Sequence, residues 1–437
     1  MYNGREALSA LQLPRQAKLL TTGSSVRKVM HFADTHFGVE LYGRLDAQSG
    51  LNTRLQDFRK SLTSAIEQAL AEGIHLAVFA GDAYKTRDPR QTDQREFAAC
   101  IRLLTDRGVP VVLLTGNHDM PAIRGRAHAI EIYRTLGVTN VHVLSRPELL
   151  IVETAAGPVR IAPMPYLIKG YSVAREEFQG KTIDQTRAML ENMYGDYIQH
   201  MANAVTAADD DIPTILLGHF WATGAALSQW QKGYFDVNEP QVPVSALTHP
   251  AFDYVALGHI HKHQDLNKAG QPHVVYCGSP DCIDFGERDE KKGFVLVELR
   301  KGGAEYRHVE VRDGRRLLDI DVRAEDETPT ETILQAIRAQ PVRNAVVKLT
   351  YHINEGQQAH VREREIREAL APAFMVVAIN RKIRRDAAIR SRMLTETKTP
   401  REALELYIET QDALRPRKEP LMAAADVLLR ELRDEAQ

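Results

Sequence analysis

The chain has 437 residues, 43% of them hydrophobic and 26% charged, with a formal net charge of -2. That balance excludes global disorder and a basic field over the whole surface, so a polyanionic partner has to be met by a local patch. The length exceeds what one small core can organise and predicts two or three compact units.

Residues 1–25 alternate polar and apolar side chains without a signal-peptide core and are expected to form an N-terminal extension. From residue 26 short β-rich runs alternate with helical periodicity: VRKVMHFAD, a helix, HLAVFAGD, a second helix and VPVVLLTGNHD, a βαβαβ pattern. In the first helix Phe58, Leu62, Ala65, Ile66, Ala69 and Leu70 recur at three- and four-residue spacing, with Gly73 where a C-cap belongs. Further apolar runs at 213–218, 253–258, 273–278 and 293–299, with little helical signal between the last three, predict a closing set of antiparallel strands. The expected first unit is therefore an α/β sandwich, sheet on sheet and flanked by helices, over residues 26–315. Residues 316–385 read as a small α+β unit that would serve as a cap. Residues 386–437 read as a basic linker and two helices. In the last helix Leu421, Ala424, Ala425, Leu428 and Leu432 form one apolar stripe, which a short helical pair cannot bury alone and which points to a partner.

Cys100, Cys277 and Cys282 lack the spacing of a disulfide framework or a zinc knuckle, and read as core thiols in a reducing compartment. No apolar run approaches the roughly 20 residues needed to span a bilayer. A cytoplasmic protein without membrane association is the expectation.

The chemistry lies at the strand ends. Asp34 with His36, Asp82, the run Asn117-His118-Asp119, His219, and His259 with His261 each follow an apolar run. In an open α/β sheet ligands gather outside the carboxyl ends of the strands, so these residues can meet in one crevice. The i, i+2 spacing of Asp34/His36 and His259/His261 would turn both members of a pair the same way if the segment were extended. Imidazole, carboxylate and amide donors without thiolate suit manganese, iron or zinc better than calcium, and the number of donors implies two metal ions. A Gly-Asp pair alone is an ordinary turn; five such elements in order leave that reading little room.

Those five elements resemble the calcineurin-like metallophosphoesterase superfamily. Within it, LGHIHKHQ followed by YCGSPDCIDFGERDEKKGFVLVEL is similar to the SbcD and MRE-eleven family of nucleases. The resemblance implies a metallophosphoesterase sandwich with a capping domain and a C-terminal helical pair that binds an SbcC-type ATPase. It also implies a homodimer and DNA as substrate. One manganese ion would be held by Asp34, His36 and His261, a second by Asn117, His219 and His259, with Asp82 bridging. His118 would stabilise the transition state or protonate the leaving oxygen, oriented by Asp119. Some relatives carry a histidine or aspartate three residues beyond the bridging aspartate, where this chain has Lys85. Lys85, Arg87, Arg124 and Arg126 are candidate DNA-phosphate contacts, while His263 and His273 read as ordinary polar residues. Two rival expectations keep the fold and change the role: hydrolysis of a cyclic nucleotide or phosphoprotein, or a DNA-tethering scaffold without catalysis.

Overall fold

The computed structural model of the protein describes residues 26–121, 126–167, 180–233, 238–384, 399–410 and 414–434. The chain divides into two compact units, Met1–Leu318 and Asp319–Gln437.

The first unit begins β1 (Arg27–Phe32), α1 (Thr53–Ala71), β2 (Leu76–Phe79), α2 (Gln91–Thr105), β3 (Val111–Leu114), α3 (Glu131–Thr135) and β4 (Val141–Leu144). It continues β5 (Leu150–Val152), β6 (Val159–Met164), α4 (Ile183–Ala208), β7 (Thr214–His219), β8 (Trp221–Ala222), β9 (Gln241–Val242), α5 (Val244–Leu247) and β10 (Tyr254–Gly258). It closes with β11 (Gln264–Asp265), β12 (Val274–Tyr276), β13 (Gly293–Arg300) and β14 (Gly303–Glu310). Two six-stranded sheets result, ordered β14-β13-β1-β2-β3-β4 and β11-β12-β10-β7-β6-β5. Strands β1 to β4 run parallel, as do β6, β7, β10 and β12; β13 pairs antiparallel with both β1 and β14, and antiparallel β11 and β5 close the two edges of the second sheet. The parallel strands therefore deliver their C-terminal ends to one rim.

Alternation along the strands explains the layering. Val29, Val78, Val112, Ile161, Ile215, Leu217, Val275 and Val297 face one another in the sandwich interior. On β1 the alternate residues Met30 and Phe32 face outward, where α1 and α2 cover them with Phe58, Leu62, Ala65, Ile66, Phe97 and Ile101. On the other sheet α4 supplies Tyr194, Ile198, Met201 and Val205. Each fully buried side chain of this kind contributes roughly 1.5–3 kcal/mol. The periodicity of α1 is thus its packing face, and Gly73 ends it at φ 71°, a left-handed conformation that suits glycine.

The sequence reading placed no elements between residues 120 and 212, yet α3, β4, β5, β6 and α4 all lie there. The signal for α4 was present: Thr182 accepts from the Gln185 backbone N–H, and the Gln185 side chain accepts from that of Thr182, a capping box. The Lys301-Gly302-Gly303 run is the turn of the β13–β14 hairpin, with Gly302 at φ 94°.

Strand β15 (Leu317–Arg323) leads into the second unit. There α6 (Pro329–Arg338), β16 (Val346–Asn354), α7 (Glu363–Leu370) and β17 (Met375–Arg384) form the expected α+β arrangement, with sheet order β15-β16-β17. The last strand runs to Arg384, so the basic stretch RKIRRDAAIRSR that begins at Arg381 opens inside it; the rest of that stretch, to residue 392, lies outside the described residues. Helices α8 (Pro400–Thr410) and α9 (Lys418–Asp434) are tied by Arg401–Asp426 and Lys418–Glu405 ion pairs. Met422 is buried, whereas Leu421 and Leu428 of the expected stripe are exposed, with Val427 beside them; the Leu432 side chain lies outside the described residues. Among the described residues no helix is long and apolar enough to cross a membrane.

Candidate metal centre

The strand-end residues converge, but not through strand alternation. Asp34 and His36 follow β1 at φ 54° and 44°, Asp82 follows β2 at φ 62°, and His259 follows β10 at φ 89°. Each sits in the left-handed region that non-glycine residues seldom adopt. The i, i+2 argument therefore does not describe this site. The chain reverses sharply at each ligand, and backbone bonds from Asp34 N–H to Gly81 O and from His36 N–H to Asp82 O lock two of those turns together. Such strain persists where surrounding structure over-determines it, commonly at functional sites. Glycine gives the necessary room: a Cβ on Gly116 would stand 2.1 Å from Asp82 Oδ1, and one on Gly81 would stand 2.4 Å from His219 Nδ1.

Two neighbouring groups of side chains could each hold a metal ion, Asp34/His36/His261 and Asp82/His219/His259, with ligand atoms within 4.8 Å of one another in each. His36 Nε2 lies 3.1 Å from His261 Nε2. Asn117 Oδ1 lies 3.0 Å from both His219 Nε2 and His259 Nδ1. Asp82 Oδ2 stands between the groups, 3.7 Å from His36 Nε2 and 3.4 Å from His219 Nε2. The outer ring nitrogens assign the tautomers. His219 Nδ1 is 2.6 Å from the Ala80 carbonyl, and His261 Nδ1 is 2.8 Å from Glu287 Oε1. Each oxygen accepts a hydrogen bond from the ring Nδ1–H, which points Nε2 inward, where its lone pair serves a cation once that nitrogen gives up its proton. Inward lone pairs from nitrogen and oxygen, without thiolate, fit a pair of divalent cations.

The electrostatics agree with a cation-binding design. Burial disfavours ionisation of Asp82, yet its histidine neighbours, His219 foremost, hold its carboxyl well below the usual carboxylate range. Burial opposes charge on His219 too, but Asp82 pushes it up to about 9. Burial and neighbouring His261 keep His36 neutral, well below the ordinary imidazole value. Burial raises Asp34.

Behind the ligands stands a layer that the sequence reading missed. Lys292 Nζ contacts Glu287 Oε2 at 2.9 Å, Ser279 Oγ at 3.0 Å and the His261 carbonyl at 3.1 Å. Gln231 bridges the strand end: its amide donates to the His259 carbonyl at 2.8 Å and accepts from the His261 N–H at 3.1 Å. Glu239 Oε1 is 2.9 Å from His259 Nε2 and hydrogen-bonds the Tyr166 hydroxyl. Trp230 stacks on His261 with 5.7 Å between ring centroids. None of these has a periodic or short-range signal; Ser279, Glu287 and Lys292 belong to the GSPDCIDFGERDEKKG run that carries the family resemblance, whereas Trp230, Gln231, Glu239 and Tyr166 lie outside it.

The remaining sequence candidates fall as follows. His118 is half-buried; its N–H donates to Asp82 Oδ1 at 2.8 Å, and its Nδ1 lies 2.7 Å from the Lys85 carbonyl. Asp119 does not orient it, contrary to expectation. Its carboxylate accepts from the backbone N–H groups of Asp82, Ala83 and Gly116 at 2.8, 3.0 and 2.9 Å, clamping the Asp82 turn to the β3 loop. Burial and then Asp82 raise Asp119 to about 7. His118 also forms a third donor group with His36 and Asp82. Lys85 and Arg87 are exposed, with Arg87 Nε 3.4 Å from the Asn117 carbonyl, and Arg126 pairs with Asp88; Arg124 lies outside the described residues. His263 and His273 stay outside the donor groups, held by the Tyr276 carbonyl and by Asp265. Cys100 and Cys277 are buried free thiols, and Cys282 is partly buried.

Residues 27–263 match the Calcineurin-like phosphoesterase family, and the chain belongs to it. With its dimetal donor set it is a phosphoester hydrolase of that family, and the α/β sandwich is that family's fold. Within the family the chain is similar to the SbcD component of nuclease SbcCD from Escherichia coli, 26% identical over 280 residues, covering 64% of this chain and 66% of that protein. It is also similar to the SbcD component of the Bacillus subtilis nuclease, 26% identical over 362 residues, covering 72% of this chain and 83% of that one. DNA double-strand break repair protein Mre11 of Haloferax volcanii is 24% identical over 320 residues, covering 73% of this chain and 60% of that protein.

Proposed function

We propose that this chain is a manganese-dependent DNA nuclease, exonucleolytic on double-stranded ends and endonucleolytic on single strands, that acts in double-strand break processing and repair. In this reading it works in the cytoplasm as a homodimer with an SbcC-type ATPase. The observation that carries the reaction is that Asp82 Oδ2 stands beside a histidine of each donor group, His36 in one and His219 in the other. The names of the relatives, a component of a nuclease and a break-repair protein, support the substrate and the partner.

Asp34, His36 and His261 would hold one ion, Asn117, His219 and His259 the other, with Asp82 shared. When bound, a pair of divalent ions polarises a phosphoryl oxygen and makes water a nucleophile at neutral pH. The protein's own part is to orient and to move a proton. With Nδ1 held by the Lys85 carbonyl, His118 keeps Nε2 for the substrate, where an imidazole can stabilise charge or protonate the leaving oxygen. Lys85, Arg87, Arg124 and Arg126 would take the flanking phosphates.

The test is cleavage of an end-labelled DNA duplex with manganese, magnesium or EDTA, beside Asp82→Ala. Cutting that needs manganese and disappears in the variant is the expected result; cutting that survives Asp82→Ala would remove the centre from the reaction. A duplex left intact while a cyclic dinucleotide or phosphopeptide is hydrolysed would replace the substrate.

A further inference from the structure

Two of the candidate ligands are backed by buried carboxylates on the ring nitrogen that faces away from the site. Glu287 Oε1 meets His261 Nδ1 at 2.8 Å, and Glu239 Oε1 meets His259 Nε2 at 2.9 Å. Each imidazole belongs to a different donor group. The two carboxylates differ in support. Glu287 is fully buried and is held by Lys292 Nζ at 2.9 Å and by the Ile283 N–H at 3.0 Å. Glu239, 7% exposed, is held by the Tyr166 hydroxyl instead.

A neutral imidazole binds a cation through one nitrogen only, and the partner of the other nitrogen decides which one, fixes the ring plane and makes the donor more basic. Two alternatives would explain these carboxylates otherwise. They would be ligands themselves if an oxygen reached the donor groups, but neither belongs to any of the three groups. They would be fold supports alone if they met no ligand, but each is in contact with one.

We propose that Glu287 and Glu239 are positioning residues, one for each metal subsite. Glu287, counter-charged by Lys292, presents His261 Nε2 to the Asp34/His36 group, and Glu239 presents His259 Nδ1 to the Asp82/His219 group. The two subsites are thereby tuned separately from outside the ligand set. This assignment rests on the dimetal reading above.

The test is manganese binding to the full chain, followed by electron paramagnetic resonance of the free ion, with melting in EDTA as a control on the fold. The wild type is compared with Glu239→Ala, Glu239→Gln and the double variant Glu287→Gln/Lys292→Met, which avoids stranding a buried lysine. Expected are two ions in the wild type and, in Glu239→Ala and the double variant, one binding step weakened about 10–100-fold with the other unchanged. Glu239→Gln, which keeps an acceptor without the charge, should recover part of that loss. Two wild-type ions with unweakened binding in the variants would overturn the proposal, as would equal weakening of both steps or a lower metal-free melting temperature. Fewer than two wild-type ions would instead sink the dimetal reading itself.

Discussion

His118 is tethered from both sides, by the Asp82 carboxylate through its backbone N–H and by the Lys85 carbonyl through its ring. A group that protonates a leaving oxygen contributes roughly 10²–10⁴-fold to rate. We expect His118→Asn to lose cleavage by that order in single-turnover assays while equilibrium dialysis still finds both ions; lost metal would place His118 among the ligands. A different histidine, His31, is expected to contribute to the loss of stability in acid. His31 is fully buried between the sheets, with Nδ1 3.1 Å from the Tyr254 hydroxyl and Nε2 3.2 Å from the Leu257 carbonyl. Burial lowers it from 6.5 to about 3. The folded state then binds fewer protons than the unfolded chain below pH 6.5, so this contribution is complete above that pH and is lost as pH falls towards 3. Each pH unit in the window costs up to about 1.4 kcal/mol. Urea midpoints from pH 8 to 4 should fall less steeply in His31→Gln than in the wild type; parallel curves would show that His31 titrates normally.

At the scale of elements, the site depends on strands that are rigid up to their last residue and turn abruptly beyond it. The interior sheet faces supply the rigidity. Leu76 opens β2 with no exposure, at the N-terminal end of the strand and away from the ligand-bearing end. Leu76→Ala should cost about 2–5 kcal/mol in chemical denaturation and leave the manganese stoichiometry unchanged. A cost below about 1 kcal/mol would mean that the interior there is loosely packed. The turns are a separate matter: Asp119 clamps the Asp82 turn through three backbone amides, a role at the scale of elements in place of the orientation of His118 that the sequence suggested.

For the whole molecule, division after Leu318 separates the metal centre from everything beyond it in sequence. All seven candidate ligands lie in the first unit. The exposed Leu421, Val427 and Leu428 lie in the second, on a helix whose partner inside the chain covers only part of it. Deleting residues 396–437 should leave manganese binding and the duplex nuclease activity of the isolated chain intact while abolishing co-purification with an SbcC-type ATPase. Unchanged co-purification would move that interface elsewhere.

The sequence by itself determined the candidate donors and their order along the chain, because each follows an apolar run and the glycines beside most of them mark the sharp turns. It also determined α1, whose 3.6-residue periodicity is its packing face. It did not determine how the donors meet: the left-handed conformations at Asp34, His36, Asp82 and His259 are held by hydrogen bonds of their backbone amides to groups in other loops far apart in sequence. Nor could it reveal Glu239, Gln231 and Lys292 as neighbours of the site. Glu287 is 26 residues from His261 and Gln231 is 28 from His259, and no local periodicity records a contact made across two loops. Donor identity is a property of short segments, whereas the burial and hydrogen bonding that orient each donor exist only once both sheets have closed around it.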